Sequence, residues 1–184
     1  MIISICGKSA SGKSTLAKYL KEIYGESIVH IDIDKIGHNV LTYEKVKKDL
    51  VNTFGNNVIT NNSVDRKALG KIVFNSLNEM DKLTIITWKY MEIEIDKILN
   101  ENSIKIIILD WLLLPKTKYF NISNVRLLLD IPYEIRKERA MNRDNISSEA
   151  FDLRDKATID YSDYYFDYIL KENNYEIIRK VIKW

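Results

Sequence analysis

Of the chain's 184 residues, one is cysteine, two are proline, two are histidine and six are glycine. A single thiol, Cys6, cannot close an intramolecular disulfide, and with two histidines it cannot build a metal cluster. Cys6 ends an apolar run and reads as a buried small residue rather than a nucleophile. No apolar stretch reaches the length of a membrane span. Residues 1–6 run directly into a glycine motif with no basic leader, so a cytoplasmic protein without membrane contacts is expected. An excess of one charge is missing as well: 28 Lys and Arg stand against 26 Asp and Glu, a formal net charge of +2. A dedicated nucleic-acid binder carries a larger basic excess, which argues against nucleic acid as a partner. A phosphate-bearing small molecule needs only a local cluster of positive charge and stays open.

What is present is apolar material, 46% of the chain, enough for one domain with a buried core. Its spacing alternates between two periods. Residues 1–6 have the pattern of a buried strand, and over 13–24 Leu16, Ala17, Leu20 and Ile23 recur at helical spacing. Strand character returns over 27–33, followed by a helix near 45–53 with Val46, Leu50 and Val51 as its apolar side. Residues 54–62, rich in Gly and Asn, predict a turn region with one short extended piece. Asp65 is placed to cap a helix carrying Ala68, Leu69, Ile72 and Val73. A second long helix is read over 83–99, although β-branched Ile85, Ile86 and Thr87 weaken its first turns. Two apolar runs, 104–109 and 125–129, end on Asp110 and Asp130. A charged helix over 133–141 comes next, then one capped by Ser147 or Ser148, a strand at 168–170 and a last helix at 175–183. Short strands each followed by a helix imply a parallel sheet covered on both faces, with ligands at the carboxyl ends of the strands. Cys6, Asp32, Asp110 and Asp130 all fall at such ends.

The sharpest motif is Gly7-Lys8-Ser9-Ala10-Ser11-Gly12-Lys13-Ser14-Thr15. It matches the P-loop pattern G-x-x-x-x-G-K-[ST], with a strand before it and an amphipathic helix after it. Gly7 and Gly12 let the backbone curl so that successive N–H groups face an anion. The helix that begins near Lys13 adds the positive end of its dipole. Lys13 is positioned to reach the β- and γ-phosphates of ATP, and the Ser14 hydroxyl to ligate Mg²⁺.

Other candidates follow from position. Asp32 and Asp34 lie two apart where the second strand ends, and at an exit into a loop both would line the crevice. Asp34 is the better candidate base, since an acceptor hydroxyl opposite the γ-phosphate needs a carboxylate in reach; the plainer reading makes it a cap for a helix over 35–40. Asp110 either holds a Mg²⁺-bound water or serves structure, and Asp130 reads as a turn or cap residue. Arg136, Arg139 and Arg143 are spaced to share one helical face. A helical hairpin would bring Arg139 and Arg143 over the phosphates; otherwise the three form a solvated, salt-bridged face. Tyr161, Tyr164, Tyr165 and Tyr168 suit packing better than stacking on a base. His30, inside a strand run, reads as structural, and nothing assigns chemistry to His38.

At this point the chain resembles the dephospho-coenzyme A kinases over nearly its whole length. Strand, P-loop and Asp32-Ile33-Asp34 open the pattern. Phe54-Gly55, Asp65-Arg66-Lys67 and Leu69-Gly70-Lys71-Ile72-Val73-Phe74-Asn75 continue it, and Arg139-Ala140-Met141-Asn142-Arg143-Asp144 matches the family's lid motif R-x-x-x-R-D. The resemblance implies an α/β fold of P-loop NTPase type, a three-layer parallel sheet flanked by helices. One kinase domain would span 1–184, with a small helical acceptor-binding region near 54–100 and a helical lid near 136–162. It also implies ATP and Mg²⁺, Asp34 as base, and Arg139 and Arg143 facing ATP. The acceptor would be the ribose 3′-hydroxyl of dephospho-coenzyme A, with Arg66 meeting its pyrophosphate and Asp32, Trp88 and Asp110 on the substrate side. Three places depart from the family pattern. Trp88-Lys89 stands where relatives have His-Pro, the stretch Asp110-Trp111-Leu112-Leu113-Leu114-Pro115-Lys116 lacks the expected proline and acid, and a lid-side arginine is replaced near Ser162. These departures keep two rivals open: a nucleoside or nucleotide kinase on the same scaffold, and a nucleotide-binding switch that phosphorylates nothing. Oligomeric state is left open, with a monomer favoured.

Overall fold

The computed structural model describes residues 1–74, 76–156, 158–172, 175, 178, 179 and 182. Two compact units divide the chain: Met1–Asp32 with Asn102–Trp184, and Ile33–Glu101. The first holds five strands, β1 (Ile2–Cys6), β2 (Ile28–Asp32), β5 (Ile106–Asp110), β6 (Val125–Leu129) and β7 (Tyr168–Leu170). They form one parallel sheet in the order β2-β5-β1-β6-β7. Helix α1 (Lys13–Tyr24) packs on β2 and β5. The period of two decides which side chains meet it. Ile3 and Ile5, Ile106 and Ile108, Leu127 and Leu129 all join one core cluster with Leu16, Ala17 and Leu20 of α1.

The same alternation prepares the site. Asp110 is the next residue of that parity after Ile106 and Ile108, so it faces α1 at the carboxyl edge of the sheet. Across the β2–β5 ladder His30 is in register with Ile108, and Asp32 with Asp110. His30 and Asp32 therefore stand on the face and edge that carry Asp110.

Further helices of this unit are α6 (Lys118–Ile122), α7 (Tyr133–Asp144) and α8 (Ser148–Lys156). Ser147 is the residue that caps α8, its Oγ accepting from the Ala150 N–H at 3.2 Å. Helix α6 was not expected from periodicity: five residues are too few to show a 3.6-residue repeat, and Tyr119 and Phe120 are held by burial. The last helix expected at 175–183 lies mostly outside the described residues.

The second unit consists of α2 (Ile33–Val40), α3 (Glu44–Phe54), a hairpin of β3 (Ile59–Thr60) and β4 (Ser63–Val64), α4 (Arg66–Val73) and α5 (Leu77–Glu101). Helices α2, α3 and α4 pack on α5, and Val46, Leu50, Val58, Leu69 and Val73 form the core. Asn61 and Asn62 join the hairpin with φ of 49° and 59°, the left-handed pair that a two-residue turn of the right twist demands. Asp65 caps α4 as expected, its carboxylate accepting from the Lys67 and Ala68 N–H groups at 3.0 Å each. Helix α5 starts six residues before the expected Leu83, with the Ser76 hydroxyl accepting from the Glu79 N–H at 3.4 Å. Packing against three helices outweighs the weak propensity of Ile85, Ile86 and Thr87. The loop expected after Asp32 is absent: α2 begins at Ile33, and Asp34 lies in its first turn as an exposed residue, not as a cap. Among the described residues no helix is long and apolar enough to cross a membrane.

Candidate active site

The P-loop leaves β1 at Gly7 and enters α1 at Gly12. Space as well as φ requires glycine at Gly7, where an added Cβ would lie 2.5 Å from Ser11 Oγ and 2.8 Å from the Leu129 carbonyl oxygen. Gly12 takes φ of 95° and supplies no side-chain cap to α1. The first N–H groups of the helix therefore face the loop interior, where an anion satisfies them. Lys13 Nζ donates to the Gly7 carbonyl at 3.0 Å, which holds the ammonium over the loop. Ser11 Oγ is buried and has no hydrogen-bond partner among the described residues. An orphan hydroxyl and uncapped helix N–H groups in one concavity fit a phosphate chain. Cys6, just before the loop, is fully buried, and burial pushes its thiol far above the ordinary range. It stays neutral, in keeping with a small core residue.

The Ser14 hydroxyl donates to Asp110 Oδ2 at 2.7 Å. His30 Nε2 stands 3.3 Å from the same oxygen. With Asp32 in register beside Asp110, the sheet edge presents two neighbouring carboxylates and a hydroxyl. Like charges placed side by side on a sheet repel unless a cation offsets them. Hard oxygen donors of this kind suit Mg²⁺, which keeps several waters and takes only one or two protein oxygens beside its phosphates. No cluster of three or more His, Cys, Asp or Glu side chains able to cage a metal occurs among the described residues.

Of the three arginines on α7, Arg136 reaches the loop. Its Nε donates to the Ile131 carbonyl at 2.9 Å and its NH1 to the Ser9 carbonyl at 3.5 Å. The guanidinium is paired with Asp155 of α8 at 2.5 Å, while Lys8 Nζ lies 3.8 Å from the same carboxylate. Arg143 is 61% exposed and bonds Asp144, which also holds Arg154 at 2.6 Å. Arg139 is exposed. The three do lie along one stripe of the helix, but seven residues separate the first from the last by about 10 Å of axis. Burial thus falls along the stripe from Arg136 to Arg143. A cleft beside the loop is lined by Lys8, Asp130, Pro132, Arg136, Tyr161 and Lys171 among others.

In the helical unit a second cleft is lined by His38, Thr42, Lys47, Asn62, Ser63 and Arg66 together with Leu41 and Val64. Lys47 Nζ is tied to Glu44 at 2.5 Å and to the Asn62 carbonyl at 3.0 Å. Arg66 and His38 are exposed at its rim, and Trp88 is half-buried on α5.

The family model described as dephospho-CoA kinase matches residues 1–174. The chain belongs to the dephospho-CoA kinase family. A dephospho-CoA kinase of Aquifex aeolicus is 33% identical over 193 residues, covering 97% of this chain and 94% of its own length. Another, from Dehalococcoides mccartyi, is 34% identical over 152 residues, 80% of this chain and 75% of its own. Among solved structures, a Thermus thermophilus protein superposes with a TM-score of 0.84 at 22% identity, covering 99% of this chain and 95% of that one. A dephospho-CoA kinase from Campylobacter jejuni gives 0.57 at 24% identity over 97% and 92%. These likenesses bear on the fold, a parallel sheet flanked by helices. A member of the dephospho-CoA kinase family is a kinase, and a kinase takes a nucleotide substrate. Four residues, His30, Lys47, Asp155 and Tyr161, make polar contacts with the residues described above and had no chemistry assigned from sequence. His30 carried a usable signal in its parity with Asp32. Lys47, Asp155 and Tyr161 carried none, because each meets its partners only through the fold.

Proposed function

We propose that the chain transfers the γ-phosphoryl group of ATP to the ribose 3′-hydroxyl of dephospho-coenzyme A, giving coenzyme A and ADP. The observation that carries this reading is the bond from Ser14 Oγ to Asp110 Oδ2, which joins the P-loop to the acidic sheet edge within a chain of this family. Gly7 to Thr15 bind the phosphates through backbone N–H groups, and Lys13 neutralises charge on the group in transfer. Ser14 would hold Mg²⁺ directly and Asp110 through a water, and the ion would supply positive charge against the phosphates. Asp34 accepts the proton of the acceptor hydroxyl as its oxygen bonds to phosphorus and the bridging oxygen leaves with ADP. Arg139 and Arg143, exposed on the outer turns of α7, are suited to act from a closing lid, and closure limits hydrolysis of ATP. Arg66 meets the acceptor's pyrophosphate from the helical unit, with Trp88 and Asp32 on the acceptor side.

The test is ADP release from Mg-ATP with and without dephospho-coenzyme A, in the wild type and in Asp34→Asn. Acceptor-dependent turnover is expected, with kcat falling about 10²- to 10⁴-fold in the variant. Turnover on nucleosides or nucleoside monophosphates but not on dephospho-coenzyme A would reject the acceptor. ATP binding with no phosphorylated product from any acceptor would reject the enzyme reading.

A further inference from the structure

The P-loop springs from β1 at a place where the sheet has stopped supporting it. The last ladder bond between β1 and β5 runs from the Trp111 N–H to the Ile5 carbonyl at 3.3 Å. Beyond it the two chains diverge, Gly7 into the loop and Leu112 into a turn. Each carries a backbone group that the ladder no longer pairs, and a backbone group left without a partner away from water is costly. One side chain serves both: the Tyr161 hydroxyl accepts from the Gly7 N–H at 3.1 Å and donates to the Leu112 carbonyl at 2.9 Å.

We propose that Tyr161 is a positioning residue of the P-loop, extending the β1–β5 ladder by one side-chain rung and thereby fixing the loop for the phosphates of the nucleotide. The proposal rests on the reading of this loop as the nucleotide site. The rung is rigid because its ring is held. Tyr161 meets Phe166 edge-on at 5.8 Å, and Phe166 meets Phe120 at 5.3 Å. Burial raises the Tyr161 hydroxyl well above its ordinary range, so it remains a donor to Leu112. A second tie reaches the same loop from the same stretch of chain. Asp155, at the end of α8, holds Arg136, whose NH1 donates to the Ser9 carbonyl at 3.5 Å. Gly7 and Ser9 are thus both held by side chains outside the G-x-x-x-x-G-K-S motif. Since the loop binds by aiming several N–H groups at once, a small tilt at its root misaligns all of them.

The experiment uses the full chain and Tyr161→Phe, which keeps the ring in its aromatic cluster and removes only the hydroxyl. Calorimetric titration with Mg-ADP, thermal unfolding, and KM for each substrate are measured on both proteins. The expected result is ADP affinity about tenfold weaker and KM for ATP raised about tenfold, with KM for dephospho-coenzyme A unchanged. An unchanged ADP affinity in a folded variant would overturn the proposal, and a lowered melting temperature alone would make the hydroxyl merely structural. Failure of the wild type to bind ADP would overturn the nucleotide reading itself, and this proposal with it. Should Tyr161→Phe not fold, amide exchange on the nucleotide-free wild type decides: a slowly exchanging Gly7 N–H supports the rung, and a fast one rejects it.

Discussion

The two compact units hold their charged groups in different ways. Beside the P-loop the pair of Arg136 and Asp155 is withdrawn from water, with side chains only 6% and 12% exposed, and at the sheet edge Asp110 is 3% exposed. In the helical unit Arg66 and His38 stand at the rim of their cleft in water. The difference has a chemical reading. The phosphates of ATP are the same in every turnover, so groups that receive them gain from being fixed in advance. On the proposed function, recognition of the acceptor would rely on side chains whose ordering is left until the ligand arrives. The cost is that buried charges leave the first unit intolerant of small changes, while the second loses only binding.

The largest effect follows from breaking a buried pair. Asp155→Asn leaves the Arg136 guanidinium buried with a neutral amide in place of a carboxylate. Removing one partner of such a pair costs about 3–5 kcal/mol, to be read as a lower urea midpoint at unchanged slope. Asp144→Asn, which removes the partner of exposed Arg143 and Arg154, should cost about 1 kcal/mol or less. A similar loss in the two variants would erase the contrast between buried and exposed charge on this face. Acid gives a further test of Asp144. Hydrogen bonds from Arg143, then Arg154, hold the Asp144 carboxyl down at about 2. A carboxylate whose folded pKa is depressed contributes above its unfolded value, about 3.9, and loses that contribution as pH falls through the folded value. The part of stability owed to Asp144 is therefore present at pH 5 and lost towards pH 2, and Asp144→Asn should flatten the curve only in that window.

Much of the first unit was legible because its signals are local. The apolar stripe of Leu16, Ala17 and Leu20 gave α1 its limits, and the P-loop spelled out its own turn. In the second unit Asp65 announced α4 through the cap it makes. Parity within a strand carried further than it was used: His30, Asp32, Ile106, Ile108 and Asp110 obey one alternation, so the neighbours of Asp110 were in principle readable. What stayed hidden depends on contacts between distant segments. Tyr161 and Gly7 are 154 residues apart, and no spacing rule links them. Arg136 and Arg143 share a helical stripe, but burial depends on what packs against each turn: the P-loop meets Arg136, whereas α8 reaches the turn of Arg143 through exposed Arg154. The start of α2 at Ile33 was missed because β2 passes into helix without turn residues.

In the helical unit the expected effect is smaller and falls on one parameter. Arg66→Ala removes an exposed guanidinium from the cleft it shares with His38 and Lys47. Loss of one charge-assisted contact to a pyrophosphate should raise KM for dephospho-coenzyme A about tenfold, leaving kcat and KM for ATP in place. A fall in kcat at unchanged KM would mean that Arg66 acts in the transition state. Its side chain would then be held in place ahead of the ligand like those at the sheet edge, and the contrast between the units would fail.

The smallest effect tests how far fixing the loop has gone at the expense of its own backbone. Ala10 takes φ of 60°, the left-handed region, between Gly7 and Gly12, which hold φ of 150° and 95°. An alanine there carries about 1–2 kcal/mol of strain that glycine lacks. Glycine in turn costs about 0.5–1 kcal/mol through the freedom it adds to the unfolded chain. The balance favours Ala10→Gly by about 0.5–1 kcal/mol, a rise of about 2 °C in melting temperature for a chain of this size. A lower melting temperature would mean that the Ala10 methyl group packs well enough to outweigh its backbone. If the melting temperature rises while Mg-ADP binding weakens, the strain belongs to function: the alanine holds the loop in a shape that glycine would let go. If both improve, the loop owes its shape to its ties at Gly7 and Ser9, and Ala10 is only tolerated between them.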